Sequence, residues 1–216
     1  MKLKAHVFRA CALAGFFLTP SAYAYDLDPF TFAGLPQHCQ AFFAAHDAKL
    51  GQDPRAFHID TYRKSIGTAW ESMNRYCPAL AQLVKLENYQ IKHLDDDGKR
   101  LRLSQILDGF EYQLSRSDWN KGNSWFHAEV LKNRGRVMSL MGDSDKSIEN
   151  YKKAIDIYQA YLPAYWDLAT VYVELEDYSA ATRVLNDALA HAKNKKARTH
   201  FENEIDRLSD LASDAK

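Results

Sequence analysis

The residues best suited to chemistry in this sequence are cysteines and histidines near its N-terminal end. Cys39 and Cys77 lie 38 positions apart, and neither belongs to a Cys-x-x-Cys motif. His38, His46 and His58 occupy the same stretch and could meet around a metal ion. Because no pattern of carboxylates accompanies these histidines, we predict that the chain has no metal site.

Familiar catalytic motifs are absent from the sequence. It contains no Gly-x-Ser-x-Gly elbow, no phosphate-binding glycine loop and no His-Glu-x-x-His. The run Asp95-Asp96-Asp97-Gly98 is similar to the start of a calcium loop, but its twelfth position holds Ile106 instead of glutamate. We interpret this run as an acidic helix cap. We therefore expect a protein without catalytic activity and without a cofactor.

Residues 1–24 have the organisation of a secretory signal peptide. Three cations, Lys2, Lys4 and Arg9, precede a short apolar run, and the sequence Ala-Tyr-Ala at 22–24 offers small residues to a signal peptidase. The apolar run is too short for a permanent transmembrane helix, and no later stretch is long enough. We expect an exported protein, in the periplasm, whose mature chain has no integral membrane segment.

Removal of the signal peptide changes both the charge and the number of cysteines. The full chain of 216 residues has 28 basic and 28 acidic residues; loss of three cations and Cys11 leaves 25 basic against 28 acidic residues and one cysteine pair. A weakly acidic chain of this kind is not expected to bind nucleic acid. In an oxidising compartment Cys39 and Cys77 are predicted to form a structural disulfide, worth roughly 4 kcal/mol for a loop of this length.

Apolar residues recur at helical spacing from His38 onward, and strand signals are nearly absent. An extended lead-in is predicted at 25–36. The helices are predicted at 38–50, 58–77, 79–94, 99–116, 124–141, 144–158, 162–175, 178–192 and 196–212. The loops between them are short, which indicates antiparallel helix pairs arranged as a bundle or a solenoid.

An internal repeat of 34 residues favours the solenoid. Residues of similar size align at this step, in the pairs Leu131/Tyr165, Gly135/Ala169, Met138/Tyr172, Asp143/Asp177, Ser147/Ala181, Tyr151/Leu185 and Ala154/Ala188. The small pairs are expected where helices cross closely, and the aspartates are expected to cap the second helix of each pair.

This pattern resembles the tetratricopeptide repeat (TPR) family, most clearly over residues 128–192. The resemblance implies an all-α, TPR-like solenoid of antiparallel helix pairs, in which a disulfide staples an N-terminal helical hairpin and a capping helix closes the C-terminal end. The predicted divisions are a signal peptide at 1–24, the lead-in at 25–36, a helical region with a degenerate repeat at 37–118, two repeats at 119–192 and the cap at 193–216. Arg134 departs from the usual apolar residue. The cysteine pair ahead of the repeats also resembles a group of exported bacterial TPR proteins.

In TPR proteins the first helix of each pair lines a concave groove. The predicted partner-binding residues of this groove are Glu129, Lys132, Asn133, Arg136, Trp166, Asp167 and Thr170. Lys132 and Arg136 lie one helical turn apart and can bind a carboxylate together, while Trp166 can act as an aromatic anchor.

We therefore predict a non-catalytic scaffold or adaptor that binds a protein or peptide partner. The resemblance suggests a role in assembly of the bacterial cell envelope, in secretion, or in pilus or polysaccharide export. The alternative is that the N-terminal hairpin is the functional part and binds a small ligand, a glycan or a metal near His38 and His58.

Overall fold

The computed structural model describes residues 27–46 and 57–214, so the predicted signal peptide lies outside the described residues. The described residues form helices and no strand, which confirms the all-α prediction. The α-helices are α1 (Pro29–Gly34), α2 (Gln37–His46), α3 (Ile59–Ile66), α4 (Met73–Lys85), α5 (Asp96–Arg116), α6 (Ser124–Leu140), α7 (Ser144–Ile157), α8 (Leu162–Glu174), α9 (Tyr178–His191) and α10 (Lys195–Asp214). A 3₁₀ segment (Gly67–Ser72) precedes α4, and a π-helical turn (Leu86–Gln90) followed by a 3₁₀ turn (Ile91–His93) extends it.

Successive helices pack as pairs. Helix α4 packs on α5, α6 on α7 and α8 on α9, and α10 covers the last pair. The predicted TPR-like solenoid with a C-terminal cap is therefore confirmed. The apolar stripe of α10 packs through Phe201 and Leu208 into the core formed by α8 and α9. Among the described residues, no helix is both long and apolar enough to cross a membrane.

The predicted extended lead-in at 25–36 is wrong, because Pro29–Gly34 form helix α1. Asp28 caps this helix: its carboxylate accepts hydrogen bonds from the backbone N–H and the hydroxyl of Thr31, at 2.9 and 2.6 Å. Pro29 occupies the first helical position, where its missing N–H costs nothing. The two prolines and the glycine in this stretch suggested an extended segment, but they are compatible with one short, capped helix.

The predicted helix break at Pro78 is also wrong. Helix α4 runs through Pro78, so Cys77 lies within the helix and not at its end. The segment before Met73 is a 3₁₀ turn, and Pro78 therefore falls in the second turn of α4, where it removes one hydrogen bond. Leu80 and Leu83 are buried in the adjacent core, and their burial offsets that loss.

The predicted disulfide joins Cys39 in α2 to Cys77 in α4, with the Cα atoms 5.4 Å apart. Both cysteines are fully buried in a core that also contains residues of α5 and α6. The disulfide therefore fixes the N-terminal helices to the first pair of the solenoid. It joins a helix that precedes the repeats to the first helix of the degenerate repeat.

Small residues lie where the helices cross, as predicted. A Cβ atom on Gly135 would come within 2.7 Å of the Tyr151 ring, so the pair α6/α7 requires glycine there. In the preceding pair, Gly109 of α5 faces α4, and a Cβ atom would lie 2.5 Å from Cβ of Ala79. The degenerate repeat therefore keeps the close helix crossing of the clear repeats.

The turns inside α6/α7 and α8/α9 are equivalent in detail. Asp143 accepts a hydrogen bond from the N–H of Lys146, and Asp177 from that of Ala180, which confirms both as helix caps. Before each aspartate stands a residue with positive φ, Gly142 at +82° and Glu176 at +60°. Glycine adopts this conformation freely, whereas a side chain is strained in it.

We predict that Glu176→Gly stabilises the protein by roughly 0.5–1 kcal/mol, since relief of the left-handed strain exceeds the entropy cost of glycine. Gly142→Ala at the equivalent position of the other repeat is expected to destabilise by about 1 kcal/mol. Urea denaturation of both variants measures these changes. If both substitutions shift the midpoint in the same direction, the turns are not equivalent.

Candidate functional site

The first helices of the pairs, α4, α6 and α8, lie side by side. We call the surface that they form together the groove face. Two polar clusters occur there, and both centre on α6. One is buried under α2 and α4 and is called the buried junction; the other is half-exposed between α6 and its neighbours and is called the groove cluster.

The buried junction consists of His38, Tyr76, Glu129 and Asn133. The Tyr76 hydroxyl donates a hydrogen bond of 2.6 Å to Glu129 Oε1 and accepts one of 2.8 Å from the Asn133 amide. His38 Nε2 lies 3.0 Å from Glu129 Oε1. The junction thus links α2, α4 and α6.

Electrostatics explain why Glu129 remains ionised despite its burial. Burial favours the neutral acid, but the charge of His38 and the hydrogen bond from Tyr76 outweigh it and hold the pKa of Glu129 below its ordinary value. Burial, reinforced by the negative charge of Glu129, raises the pKa of Tyr76 well above its ordinary value. Tyr76 is therefore a permanent hydrogen-bond donor to the carboxylate.

Aromatic rings enclose the imidazole of His38. The rings of Trp125 and Phe126 lie 5.5 Å from it, centroid to centroid, and those of Tyr62 and Tyr76 lie 6.1 and 6.3 Å away. These rings exclude water and strengthen the contact between His38 and Glu129. The buried junction is closed to a partner and holds the helices together.

The groove cluster consists of Glu87, Lys132, Arg136 and Asp167. Arg136 donates a hydrogen bond to Glu87 and another of 3.3 Å to the side-chain amide oxygen Oδ1 of Asn133. Lys132 Nζ lies 3.8 Å from Asp167 Oδ2, a distance suited to an ion pair but too long for a hydrogen bond. Asp167 Oδ2 is buried and has no hydrogen-bond partner among the described residues.

Burial shifts the pKa values of the groove cluster. It raises the pKa of Glu87 and of Asp167, and the neighbouring cations Arg136 and Lys132 reverse only part of that change. Burial likewise lowers the pKa of Lys132, although Asp167 opposes the change. Lys132 therefore carries a charge that is partly desolvated and incompletely bonded, which makes it the member best suited to a further acceptor.

The structure brings together five of the seven predicted groove residues: Glu129, Lys132, Asn133, Arg136 and Asp167. Two of them do not line an open groove, because Glu129 and Asn133 are only 7% and 1% exposed. That part of the prediction is wrong, since α2 and α4 bring His38 and Tyr76 over this side of α6. Thr170 is exposed on α8, and its hydroxyl donates to the Trp166 carbonyl at 3.0 Å.

Trp166 is half-buried instead of free. Its ring stacks on the imidazole of His200 in α10, with centroids 4.2 Å apart and planes inclined by 22°. It also lies 6.1 Å from the ring of Phe201. The cap helix therefore covers one face of the predicted anchor, which leaves less of the ring available to a partner.

The histidines do not assemble into a metal site. His38 is buried in the junction, and the His46 ring nitrogen contacts the Phe42 carbonyl at 2.8 Å. His58 precedes α3 in a left-handed conformation. Over the ranges 27–46 and 57–214, no three His, Cys, Asp or Glu residues lie close enough together to hold a metal ion.

Sequence reasoning missed three important residues, Tyr76, Glu87 and His38, as partners of α6. They lie 53, 49 and 91 positions from the residues they contact, so no local spacing revealed them.

Arg134, in contrast, could be recognised in the sequence as unusual, because it departs from the repeat pattern. Its guanidinium bonds Glu111 of α5 and Asn150 of α7, at 2.8 Å each, and so joins two helix pairs.

Known proteins match part of the chain. The tetratricopeptide repeat family matches residues 128–161, which comprise most of α6 and all of α7. A stretch of 79 residues is 35% identical to the probable UDP-N-acetylglucosamine–peptide N-acetylglucosaminyltransferase SPINDLY of Hordeum vulgare, and it covers 37% of this chain and 8% of that protein. No solved structure matches the chain.

The chain therefore contains a TPR repeat, a module that generally serves as a non-catalytic scaffold for protein interactions. The barley protein is similar over a small fraction of its length. The two proteins are similar in a repeat region only. The transferase activity in the name belongs to the barley protein and is not assigned to this chain.

We predict that Glu129→Gln destabilises the protein by about 1–3 kcal/mol at pH 7, because Tyr76 and His38 then face a neutral amide in place of the buried carboxylate. Since the folded pKa of Glu129 lies below its ordinary 4.5, this stabilisation is present above that value and declines as the pH falls below it. The difference from wild type should therefore shrink in acid, as measured by urea denaturation at several pH values.

Two comparisons make this test specific. Combining Glu129→Gln with His38→Gln should give less than the sum of the single effects, with a coupling of at least about 1 kcal/mol. Glu204→Gln, which breaks an exposed pair with Arg207, should change stability by no more than about 0.5 kcal/mol. Additive effects of the two junction substitutions would show that His38 and Glu129 do not act as a pair.

Proposed function

We propose that this protein is a non-catalytic, exported scaffold whose groove face binds an acidic segment of a protein partner. The TPR repeat supports protein binding in general. Lys132 supports the choice of an acidic segment, because its ammonium group has no hydrogen-bond acceptor among the described residues and is only 12% exposed. A partner carboxylate that approached Lys132 would gain a charge-assisted hydrogen bond in a partly desolvated setting.

The surroundings of Lys132 favour such a contact. Arg136 lies one turn further along α6, and Thr170 lies on the neighbouring helix α8. The exposed part of the half-buried Trp166 ring adds apolar surface of the kind that dominates binding energies. Together they offer cationic, polar and aromatic contacts along one face.

Export and an envelope role form the second part of the proposal. The signal-peptide pattern of residues 1–24 and the buried Cys39–Cys77 disulfide support an oxidising compartment. In a bacterial cell that compartment is the periplasm, where a scaffold would serve envelope assembly, secretion or the export of pili or polysaccharide.

We predict that Thr170→Glu weakens binding of acidic peptides by roughly tenfold, since it places an anion on the groove face without removing a core contact. Fluorescence anisotropy with a panel of peptides of matched length and varied net charge measures the change. Lys132→Gln should weaken the same peptides by a comparable factor. Ser104→Glu, an equally exposed substitution on α5, is the matched control and should bind as wild type does.

Two results would contradict this proposal. Acidic and basic peptides could bind equally well, or Thr170→Glu could bind like Ser104→Glu. Export is tested separately: when the full chain is expressed in a bacterium, the envelope fraction should contain protein that begins at Tyr25 and has no titratable free thiol. An uncleaved cytoplasmic product in which all three cysteines, Cys11 included, are free thiols would overturn the export proposal.

A further inference from the structure

A cavity of about 280 Å³ lies between α1, α2, α4 and α5. Its walls include the buried side chains of Phe43, Ala81, Leu86 and Ile106. None of the groove cluster residues lines it. The cavity therefore shares no lining with the groove cluster, and the four apolar side chains in its walls suit a hydrocarbon group.

Polar side chains surround the opening of this cavity. Lys85 and Gln90 are half-exposed, and Gln82 and Arg102 are exposed, so these four groups lie toward solvent while the apolar walls lie inside. Lys85 is near enough to Asp28 to help lower the pKa of that carboxyl, but Asp28 is already bonded to Thr31. Within the described residues, neither Lys85 nor Arg102 forms an ion pair.

The backbone at the opening is unusual. Leu86–Gln90 form a π-helical turn directly after α4. Such turns are rare and occur frequently at functional sites. Leu86 and Gln90, the first and last residues of the turn, both line the cavity. The turn therefore supplies the apolar side chain of Leu86 to the wall of the cavity and the side-chain amide of Gln90 to its opening.

From these features we propose that the cavity binds a small amphipathic monocarboxylate, with its hydrocarbon chain inside and its carboxylate between Arg102 and Lys85. The guanidinium of Arg102 can bind a carboxylate through two hydrogen bonds, and Lys85 adds a second positive charge. The volume of about 280 Å³ lies just below the range of sites for drug-sized ligands, so a small ligand fits. A short alkyl carboxylate such as octanoate is therefore suitable, and a phospholipid is too large.

This site shares no lining residue with the groove cluster, so the proposal can fail without affecting the proposed function. The experiment is isothermal titration of the full mature chain with octanoate. We expect one saturable site with a Kd of about 10–100 µM, in line with the efficiency of small ligands. Octanol, which keeps the chain and lacks the charge, should bind at least tenfold more weakly.

Two variants test the two ends of the ligand. Arg102→Gln should weaken octanoate at least fivefold and leave octanol unchanged, whereas Arg100→Gln, an exposed cation of α5 outside the cavity, should have no effect. Ala81→Leu should fill the cavity and abolish binding of both ligands. Its thermal unfolding midpoint shows whether the variant is folded, and a variant with a lowered midpoint is replaced by Ala81→Val.

The proposal is overturned if octanoate shows no saturable binding up to 1 mM, a limit about tenfold above the expected Kd. Equal binding by wild type, Arg102→Gln and Ala81→Leu would place the ligand elsewhere and would also overturn it. N-acetyl-leucine distinguishes the source of the carboxylate. If it binds more tightly than octanoate, the site accepts a peptide C-terminus and not a free alkyl carboxylate.

Discussion

The ionised carboxylate of Glu129 is the constraint on which the N-terminal half of this structure depends. A buried carboxylate without partners is costly, and its cost is removed only when charge and hydrogen bonds compensate it. His38 supplies the charge from α2, and Tyr76 supplies the hydrogen bond from α4. Glu129 therefore specifies where both helices must lie against α6, whereas apolar contacts alone would tolerate several positions.

The disulfide acts on the same elements. Cys39 directly follows His38, and Cys77 directly follows Tyr76, so the covalent link and the polar contacts join α2 to α4 at adjacent residues. The disulfide restricts the unfolded chain, while the buried junction selects one arrangement of the folded chain. The two contributions are complementary, because the disulfide reduces the number of unfolded conformations and the buried junction favours one packing of α2 and α4 on α6.

How well the sequence predicts this protein depends on the range of the interactions. Helices α5 to α10 follow from local rules: apolar spacing, aspartate caps at Asp143 and Asp177, and a step of 34 residues. The N-terminal region follows from contacts between distant residues. The continuation of α4 through Pro78 depends on packing against α5, and the burial of Glu129 depends on helices more than 50 positions away in the sequence. No pattern within a helix carries that information.

The candidate site shows the same division. The structure brings Lys132 and Asp167 within 3.8 Å of each other, and repeat spacing accounts for this because it places them on facing positions of α6 and α8. The burial of Glu129 and Asn133 could not be predicted in this way, because it depends on the helices that cover one end of the groove face. The stacking of Trp166 on His200 could not be predicted either, because it requires α10 to lie against α8.

Short solenoids must cover both ends of their core, and the two ends of this chain do so differently. At the C-terminal end α10 continues the helical stacking and presents a polar outer face. At the N-terminal end α1 and α2 pack on α4, α3 packs on α2 and on the 3₁₀ segment before α4, and the disulfide holds α2 to α4. These short helices cover the first pair without continuing the repeat. The buried junction and the amphipathic cavity both lie under this cover, which is why the features that distinguish this chain from a generic repeat protein occur at one end.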